Sequence, residues 1–307
     1  MDKIHYTRCP LCGKDKLETF LTTEDFLKTH ESFDIVKCAE CSFVFTQDVP
    51  PEEKAGSYYK SENYISHSDT RRGFINRLYH TARKYMLRRK WKLVSHLTAG
   101  RKLLDIGCGT GYFPAFMQKK GYEVTGVEVS DAAREYGIQK FGLRIVPPEQ
   151  FLEDPREGEY DVVTLWHVLE HIYEPGAYLD GIFRLLKNDG VLVMALPNHH
   201  ALDARIYKRY WAGYDVPRHL WHFSPRILGH LAGQYYFRVT EMYHMPFDPF
   251  FNALLSEKYR KNPLWFVFGT GIGFLAFLRG FFRVENASSV IYILRKNTGE
   301  AGKDIIL

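Results

Sequence analysis

Four cysteines near the start of the chain have the spacing of metal ligands. Cys9 and Cys12 form one pair with two residues between them, and Cys38 and Cys41 form a second pair after 25 intervening residues. Each pair can present two thiolates from a tight turn, and four thiolates suit the tetrahedral coordination of Zn²⁺. Because such a shell leaves no position open for water, we predict a structural zinc ion in a small zinc-ribbon-like module over residues 1–46.

A glycine-rich turn lies in the stretch LLDIGCGTGYF, which begins at Leu103. The turn follows an apolar segment and precedes a helical pattern. Its glycines, Gly107, Gly109 and Gly111, allow a ligand to approach backbone amides closely. The alternative is that these glycines only form a tight connection between a strand and a helix.

Two acidic residues favour a ligand site at this turn. Asp105 precedes the glycines, and Glu128 lies near the end of the next apolar segment, where its carboxylate can accept hydrogen bonds from both ribose hydroxyls of a nucleoside. An acid beside the turn would repel a pyrophosphate but suits a cationic ligand. S-adenosylmethionine (SAM) carries an ammonium and a sulfonium, so we predict SAM as the cofactor.

Short apolar segments alternate with helical stretches from Lys102 onward, which is typical of a parallel sheet built from strand-helix units. Ser224 and Pro225 are expected to begin a helix, because serine caps free amides and proline suits the first turn. The segments FRVTEMYHM and SSVIYILRK are then the last two strands. The pattern predicts an α/β fold for the main domain.

At the glycine turn and the stretch DVVTLWHVLEHI, the sequence resembles the class I SAM-dependent methyltransferases. The resemblance covers roughly residues 100–245 and continues to the last strand, so we assign a methyltransferase domain to residues 99–298. It implies a Rossmann-like seven-stranded sheet whose last strand is antiparallel, with Glu128 on the ribose of SAM. It also implies main-chain contacts from the glycine turn, and adenine near Val129 and near Glu149 in the segment after the third strand.

The acceptor side of the site is expected after the fourth strand and after the fifth. In the family that the chain resembles, His167 lies where the chain turns beneath the transferred methyl group, and it is the predicted general base. In residues 197–224, Arg218 is expected to bind an anionic acceptor and His219 to act as a base. The alternative for Arg218 is a structural pair with Asp215.

The linker over residues 47–98 contains a strongly basic segment. Residues 71–92 hold nine Lys or Arg and no acid, and apolar residues recur at helical spacing over residues 74–93. This pattern predicts an amphipathic helix whose basic face is either simply solvated or contacts an anionic acceptor, a membrane surface or RNA. Residues 299–307 are assigned as a tail.

A hydrophobic insertion occupies residues 263–283. Its core, residues 264–282, contains one charge, Arg279, and is nearly long enough to span a bilayer. The flanking segments are expected to be neighbouring strands of one sheet, so we do not expect a single crossing of the membrane. The remaining alternatives are peripheral or re-entrant membrane contact, or a buried helical hairpin that covers the site and bends at three glycines, Gly269, Gly271 and Gly273.

The net charge of +5 is too modest to indicate a nucleic-acid partner, and the polar first residues contain no signal-peptide pattern. We expect a cytoplasmic protein, including the membrane surface of that compartment. The leading hypothesis is methyl transfer to oxygen or carbon of a small-molecule, sugar or lipid-linked acceptor. The alternatives are an RNA methyltransferase, and a non-catalytic adaptor that binds SAM or uses its zinc ribbon.

Overall fold

The structure, a computed structural model, describes residues 3–59 and 74–297, without the side chains of residues 74–79. Its strands are β1 (Leu17–Glu24), β2 (Ser32–Cys38), β3 (Val44–Thr46), β4 (Lys102–Ile106), β5 (Glu123–Val127), β6 (Arg144–Val146), β7 (Tyr160–Trp166), β8 (Leu186–Pro197), β9 (Trp221–His222), β10 (Phe237–His244) and β11 (Ser289–Lys296). Its helices are α1 (Glu52–Tyr59), α2 (Phe74–Leu97), α3 (Tyr112–Gln118), α4 (Asp131–Phe141), α5 (Pro148–Leu152), α6 (Pro175–Leu185), α7 (Leu202–Tyr207), α8 (Pro225–Gln234), α9 (Asp248–Tyr259) and α10 (Trp265–Phe282).

Seven strands form one sheet in the order β10, β11, β8, β7, β4, β5, β6. The five strands from β8 to β6 are parallel, and β11 is antiparallel to both of its neighbours, β8 and β10. This arrangement confirms the predicted α/β fold with an antiparallel last strand. The strand order reverses between β4 and β7, and ligands of such sheets bind at the carboxyl ends of the strands near the reversal.

The central strands are apolar along their length because both of their faces are covered. Val162, Val163 and Leu165 of β7 are fully buried. The two serines that precede helices α4 and α8 differ in how they cap them. Ser130 caps α4, where its Oγ accepts the amide of Ala133 at 3.3 Å. Ser224 precedes α8 as expected, but its side chain makes no capping hydrogen bond, so that part of the prediction is wrong.

A second, smaller sheet joins the N-terminal residues to the main domain. Its antiparallel strands run in the order β1, β2, β3, β9, and β9 belongs to the segment that follows β8. The Thr46 amide donates to Leu220 O at 2.9 Å, and the Thr46 hydroxyl donates to His219 O at 2.8 Å. The cysteine pairs therefore lie on a sheet that the main chain of the larger domain completes.

The linker and the tail are only partly described. The predicted helix over residues 74–93 is observed as α2, which continues to Leu97. The connector also contains α1. Residues 71–73 of the basic segment, residues 60–70 of the connector and the tail at 299–307 lie outside the described residues.

The hydrophobic insertion forms one continuous helix, α10, packed against α9 as a helical hairpin between β10 and β11. The predicted bend at the glycines is wrong. A Cβ atom at Gly269 would lie 2.8 Å from the Cα of Leu254, and one at Gly273 would lie 2.8 Å from the Cα of Phe250, so these glycines permit close helix packing instead. The prediction of a buried hairpin is also wrong for α10, because only 22% of its residues are buried.

Candidate functional site

The four cysteines converge at one point of the small sheet. The Sγ atoms of Cys9 and Cys41 are 3.6 Å apart, as are those of Cys12 and Cys38, and all four lie within 4.8 Å of one another. Zinc with Zn–S bonds of about 2.3 Å in a tetrahedron needs sulfur separations of roughly 3.8 Å. The cluster therefore has the dimensions of a closed four-thiolate metal centre.

The two cysteine pairs have the same backbone geometry. The amide of Gly13 donates to Cys9 O at 2.8 Å, and the amide of Ser42 donates to Cys38 O at 2.9 Å. Both donors have left-handed backbones, with φ of 72° at Gly13 and 67° at Ser42. Serine adopts that conformation only at some cost, so the second turn is held by its surroundings.

The glycine turn after β4 has the shape that its sequence predicts. Gly107, Gly109 and Gly111 all have positive φ, at 70°, 54° and 82°. A Cβ atom at Gly107 would lie 2.4 Å from Val168, and one at Gly111 would lie 2.6 Å from Leu143. Any other residue would therefore be both strained and crowded at Gly107 and at Gly111. Gly107 itself is exposed, so its backbone is accessible to a ligand.

Glu128 lies directly beside this turn, although no local pattern fixes its side chain there. One carboxylate oxygen accepts the amide of Gly109 at 2.8 Å, and the other accepts the amide of Ser130 at 3.0 Å. A carboxylate has about four lone-pair positions. Two therefore remain for hydroxyl donors of a ligand, so the residues fit the ribose contact that the resemblance implies.

Two further predicted cofactor contacts lie next to Glu128. Val129 follows it and is 74% exposed, which leaves an apolar face open for a planar group. The amide of Glu128 donates to Val146 O at 3.1 Å, so the end of β5 adjoins the end of β6. Glu149 is exposed at the start of α5, directly after that strand.

Asp105 of β4 and Lys90 of α2 are the two charged residues beneath the site. Asp105 is buried, and its Oδ1 accepts the hydroxyl of Thr164 at 2.5 Å. Burial raises the pKa of Asp105 to about 7, although Thr164 and the charge of Lys90 oppose the rise. Burial likewise lowers the pKa of Lys90 to about 8, against the charges of Asp105 and Asp248. Because burial raises the pKa of Asp105 and nearby positive charge lowers it, a further cation beside this carboxyl group would favour its ionised form and pair with it.

His167 directly follows β7 and stands at the carboxyl edge of the sheet. Its backbone is left-handed, with φ of 58°, which is uncommon outside glycine and frequent at functional sites. Its Nε2 lies 3.0 Å from Oδ2 of Asp248, and its Nδ1 lies 3.4 Å from Oε1 of Glu170. We call Asp248, His167 and Glu170 the His167 network.

Electrostatics set the charge of this histidine. Burial alone lowers the pKa of His167, but the adjacent carboxylate of Asp248, followed by the charge of Glu170, raises it to about 10. The imidazole is therefore cationic at neutral pH and can only donate hydrogen bonds. This arrangement favours the stabilisation of negative charge by His167 over its predicted role as a general base.

His219 joins the inner end of the same network. Its Nδ1 lies 2.8 Å from Gly213 O, and its ring centroid lies 4.6 Å from that of His171. Ligand atoms of Glu170, His171 and His219 lie within 4.8 Å of one another, close enough to share a metal ion. Burial and the neighbouring His219 lower the pKa of His171 to about 4, so the His171 imidazole is neutral at neutral pH. The negative charge of Glu170 is therefore balanced chiefly by His167.

Arg218 does not face an acceptor, which corrects the role predicted from the sequence. Its side chain is 1% exposed, and its Nη2 lies 2.8 Å from Asp25 and 2.6 Å from Asp215. Its Nη1 also donates to Tyr58 O at 3.2 Å. The guanidinium therefore binds the N-terminal module to the main domain, and the structural pair with Asp215 is the alternative that the geometry supports.

Sequence reasoning missed Lys90 and Asp248. Lys90 lies four residues after Met86 on the otherwise apolar side of α2, a position that indicates a partly buried lysine. Its Nζ lies 4.1 Å from the ring centroid of Trp166. Asp248 is followed by Pro249, a pair that signals the start of a helix, but nothing in the local sequence indicates its contact with His167.

The comparisons with known proteins agree with this geometry. A family model described as a methyltransferase domain matches residues 78–242, more than half of the chain. The ubiquinone biosynthesis O-methyltransferase of Psychrobacter cryohalolentis is 33% identical over 110 residues, which cover 33% of this chain and 43% of that protein. The enzyme of the same description from Pseudomonas aeruginosa is 33% identical over 109 residues, which cover 33% of this chain and 47% of that protein.

The matches therefore span less than half the length of these curated relatives. Among solved structures, a SAM dependent methyltransferase from Archaeoglobus fulgidus aligns with 70% of this chain and 94% of its own length. The sequence identity is 19% and the TM-score is 0.50, so this likeness concerns the fold.

Proposed function

The chain belongs to the methyltransferase-domain family, and from that premise we propose that it transfers a methyl group from SAM to oxygen or carbon of a small-molecule, sugar or lipid-linked acceptor. The observation that carries this proposal is the open glycine turn with the carboxylate of Glu128 beside it. That pair offers backbone approach and two free acceptor positions to one nucleoside.

Six of the seven predicted cofactor residues would contact SAM in this proposal, and the seventh, Gly111, would shape the turn. Glu128 would hold the ribose hydroxyls and Asp105 the ammonium, while Gly107 and Gly109 would offer main-chain contacts. Val129 and Glu149 would adjoin the adenine. Bound SAM supplies an electrophilic methyl group, which an electron pair of the acceptor displaces from sulfur.

The chain's own contribution to the chemistry is alignment and charge. The positive charge of His167 would favour the deprotonated form of an acceptor oxygen placed near it, because an adjacent positive charge stabilises an anion. Asp248 and Glu170 keep that imidazole protonated and fixed in orientation. Good alignment is the main requirement of a direct displacement.

The reaction is tested with methyl-tritiated SAM and extracts from a strain that lacks the gene. Metabolite, lipid and RNA fractions are incubated separately with purified protein, and mass spectrometry identifies products that gain one methyl group. Label in the metabolite or lipid fraction supports the proposal, whereas label confined to RNA favours the RNA methyltransferase. SAM binding in calorimetry without labelled product would favour the adaptor.

We predict that Glu128→Ala weakens SAM binding at least about tenfold and leaves the fold intact. Hydrogen bonds to a charged group contribute roughly 1.5–3 kcal/mol each, and the side chain is only half-buried. Calorimetric Kd values and circular dichroism spectra of both proteins provide the measurement. Glu149→Ala, which changes an exposed acid nearby, serves as the control and should cost less affinity. Unchanged SAM affinity in a folded Glu128→Ala protein contradicts the assignment.

We also predict that Asp248→Asn lowers the pKa of His167 from about 10 by at least about two units, because the carboxylate is the main charge that sustains the imidazolium. NMR titration of imidazole resonances measures this pKa, with His167→Gln identifying the signal. The wild-type pair stabilises the fold fully below about pH 6.5 and loses that contribution as the pH rises through 10. The stability difference between wild type and Asp248→Asn should therefore shrink over that window, and a difference that grows with pH contradicts the pairing.

The proposal includes a structural zinc ion at the four cysteines, supported by their matched sulfur distances. It also includes a cytoplasmic location with peripheral membrane contact through residues 264–282. The exposure of α10, which is long and apolar enough to cross a membrane by composition alone, supports this contact.

A further inference from the structure

The α9–α10 hairpin exposes its large apolar side chains and buries its small residues. Ten of the fifteen exposed large hydrophobic side chains in the described part of the chain lie within residues 247–282. On α10 they include Phe266, Val267, Phe274, Leu275, Phe281 and Phe282. Monomeric soluble proteins rarely leave so dense an apolar patch in water.

Small residues hold α10 to the protein. Gly269, Gly273, Ala276 and Gly280 are its buried positions. A Cβ atom at Gly280 would lie 2.8 Å from the Cα of Ala287, the same close approach as at Gly269 and Gly273. Helices associate through small residues in this way inside membranes, where large apolar side chains face lipid. The distribution of side chains on α10 is thus that of a lipid-facing helix.

The hairpin's anchorage determines how α10 can meet a bilayer. Helix α9 is fixed to the main domain, since Asn252 donates to Ser288 at 2.9 Å and Ser256 accepts the amide of Ala212 at 2.9 Å. Because α10 packs along α9, it cannot turn into the bilayer without pulling these buried bonds apart. The geometry therefore favours a helix lying flat in the interface over a re-entrant one.

Basic residues border the apolar face at both ends. Residues 258–284 contain five Lys or Arg and no acid. Exposed Lys258 and Lys261 precede α10, and exposed Arg279 and Arg283 lie at its end. The Nζ of Lys258 also lies 4.3 Å from the ring centroid of Trp265. Tryptophan and basic residues at the edges of an apolar face are typical of contact with lipid headgroups.

The basic helix α2 continues the same surface. The ring of Tyr85 lies 5.6 Å from that of Phe247, and Arg89 donates to His244 O at 3.1 Å. His244 in turn contacts Phe281 of α10. Lys84 and Arg88 are exposed on this helix. A positive, apolar surface of this kind complements anionic lipid.

We propose that the exposed side of α2 and the α9–α10 hairpin together bind the surface of an anionic bilayer, and that the acceptor enters the site from that bilayer. His167 pairs with Asp248, the first residue of α9, and the charge of Lys90 of α2 acts on the same aspartate, so the acceptor side of the site lies between α2 and α9. The acceptor class that fits has an apolar part held in lipid and a reacting group that reaches the His167 network. The statement about the acceptor rests on the methyl transfer proposed above, whereas the membrane surface is argued from α2, α9 and α10 alone and does not depend on SAM binding.

The binding test uses purified full-length protein and vesicles of either pure phosphatidylcholine or a 7:3 mixture of phosphatidylcholine and phosphatidylglycerol, separated by flotation. The wild-type protein should float with the mixed vesicles, and part of it should detach from them at high salt. Phe266→Ser with Phe274→Ser should lower the partition coefficient at least about tenfold, because both changes remove apolar side-chain area that the lipid would bury. The matched control, Ile138→Ser with Tyr236→Ser, removes two exposed apolar side chains elsewhere and should float like wild type.

Charge and depth provide independent readouts. Lys84→Ala and Arg88→Ala should each lower partition into the mixed vesicles about fivefold, which corresponds to about 1 kcal/mol per basic residue. Brominated lipids should quench wild-type fluorescence more than that of Trp265→Phe. Wild type that does not float on either vesicle, or equal loss in the matched control, overturns the proposal. Dimerisation that disappears in the Phe266/Phe274 variant, without flotation of wild type, assigns the surface to a second copy instead.

Calorimetry with SAM on the same preparations separates the two proposals. Flotation without SAM binding leaves the membrane surface standing and removes the proposed function. SAM binding without flotation removes the membrane surface and leaves the proposed methyl transfer standing.

Discussion

A Cys38→Ser variant is expected to lose the proposed zinc ion and, with it, the ordered small sheet. Cys38 is fully buried at the end of β2, and its amide also closes the second cysteine turn. A structural zinc contributes roughly 10–16 kcal/mol to the folding of small zinc modules at neutral pH, far more than the rest of such a sheet can supply. The zinc content measured by metal analysis should fall from one zinc per chain to near zero.

The spread of this effect follows from the topology. Since β3 pairs with β9, hydrogen exchange should accelerate in residues 3–49 and also around Leu220 and Trp221, whereas β4 and β5 should stay protected. Cys108→Ser, which alters the one cysteine outside the cluster, is the control and should keep its zinc. Zinc retained at full occupancy by Cys38→Ser, or absent from wild type purified without chelator, contradicts the assignment of the four thiols.

Replacing Arg218 by methionine is expected to cost about 3–5 kcal/mol of unfolding free energy, the usual result of removing one partner from a buried ion pair. Asp25 would keep the amides of Leu27 and Thr29 but lose the cation that balances it. Denaturant unfolding measures the loss. Arg218→Met with Asp25→Asn should recover part of it, because the second change removes an uncompensated charge.

The pH dependence provides a second check on Arg218. Burial tends to raise the pKa of Asp25, but the hydrogen bond of Arg218, followed by that of Thr29, holds it below its usual value. A depressed carboxyl pKa contributes stability above the unfolded pKa, and this contribution is lost as the pH falls through the folded pKa. The deficit of Arg218→Met should therefore shrink in acid. A variant as stable as wild type but with weaker acceptor binding would restore the predicted role of Arg218.

Local patterns were sufficient to predict a parallel α/β sheet and the glycine turn, whereas the seven strands and the antiparallel last strand were implied by the family resemblance. The alternation of apolar and helical segments determines the strand sequence, and the glycines with Glu128 occupy one edge because carboxyl ends of parallel strands meet there. The cysteine pairs needed only their spacing. Each of these features is encoded within a short stretch of sequence, and the two cysteine pairs are connected by the requirement of one zinc ion for four ligands.

Contacts between distant segments were not predictable in this way. Asp25 and Arg218 are separated by 193 residues, and Asp248 meets His167 through the packing of α9 against the sheet edge. Without those partners, Arg218 and His167 have the composition of acceptor-binding residues. The glycines of α10 were likewise ambiguous, because glycine serves both a bend and a close helix contact, and only the position of Leu254 and Phe250 decides between them.

The pairing of β3 with β9 has a consequence for synthesis on the ribosome. About 175 residues separate Thr46 from Trp221, and translation at roughly 5–20 residues per second takes about 10–35 s to cover that distance. During this interval the edge of β3 has no partner, and an open strand edge can pair with other nascent chains. If zinc binds the cysteine turns before β9 is synthesised, the first three strands of the small sheet form while this edge of β3 is still exposed. The yield of correctly folded protein should therefore depend on the elongation rate and on how closely ribosomes follow one another along one messenger RNA.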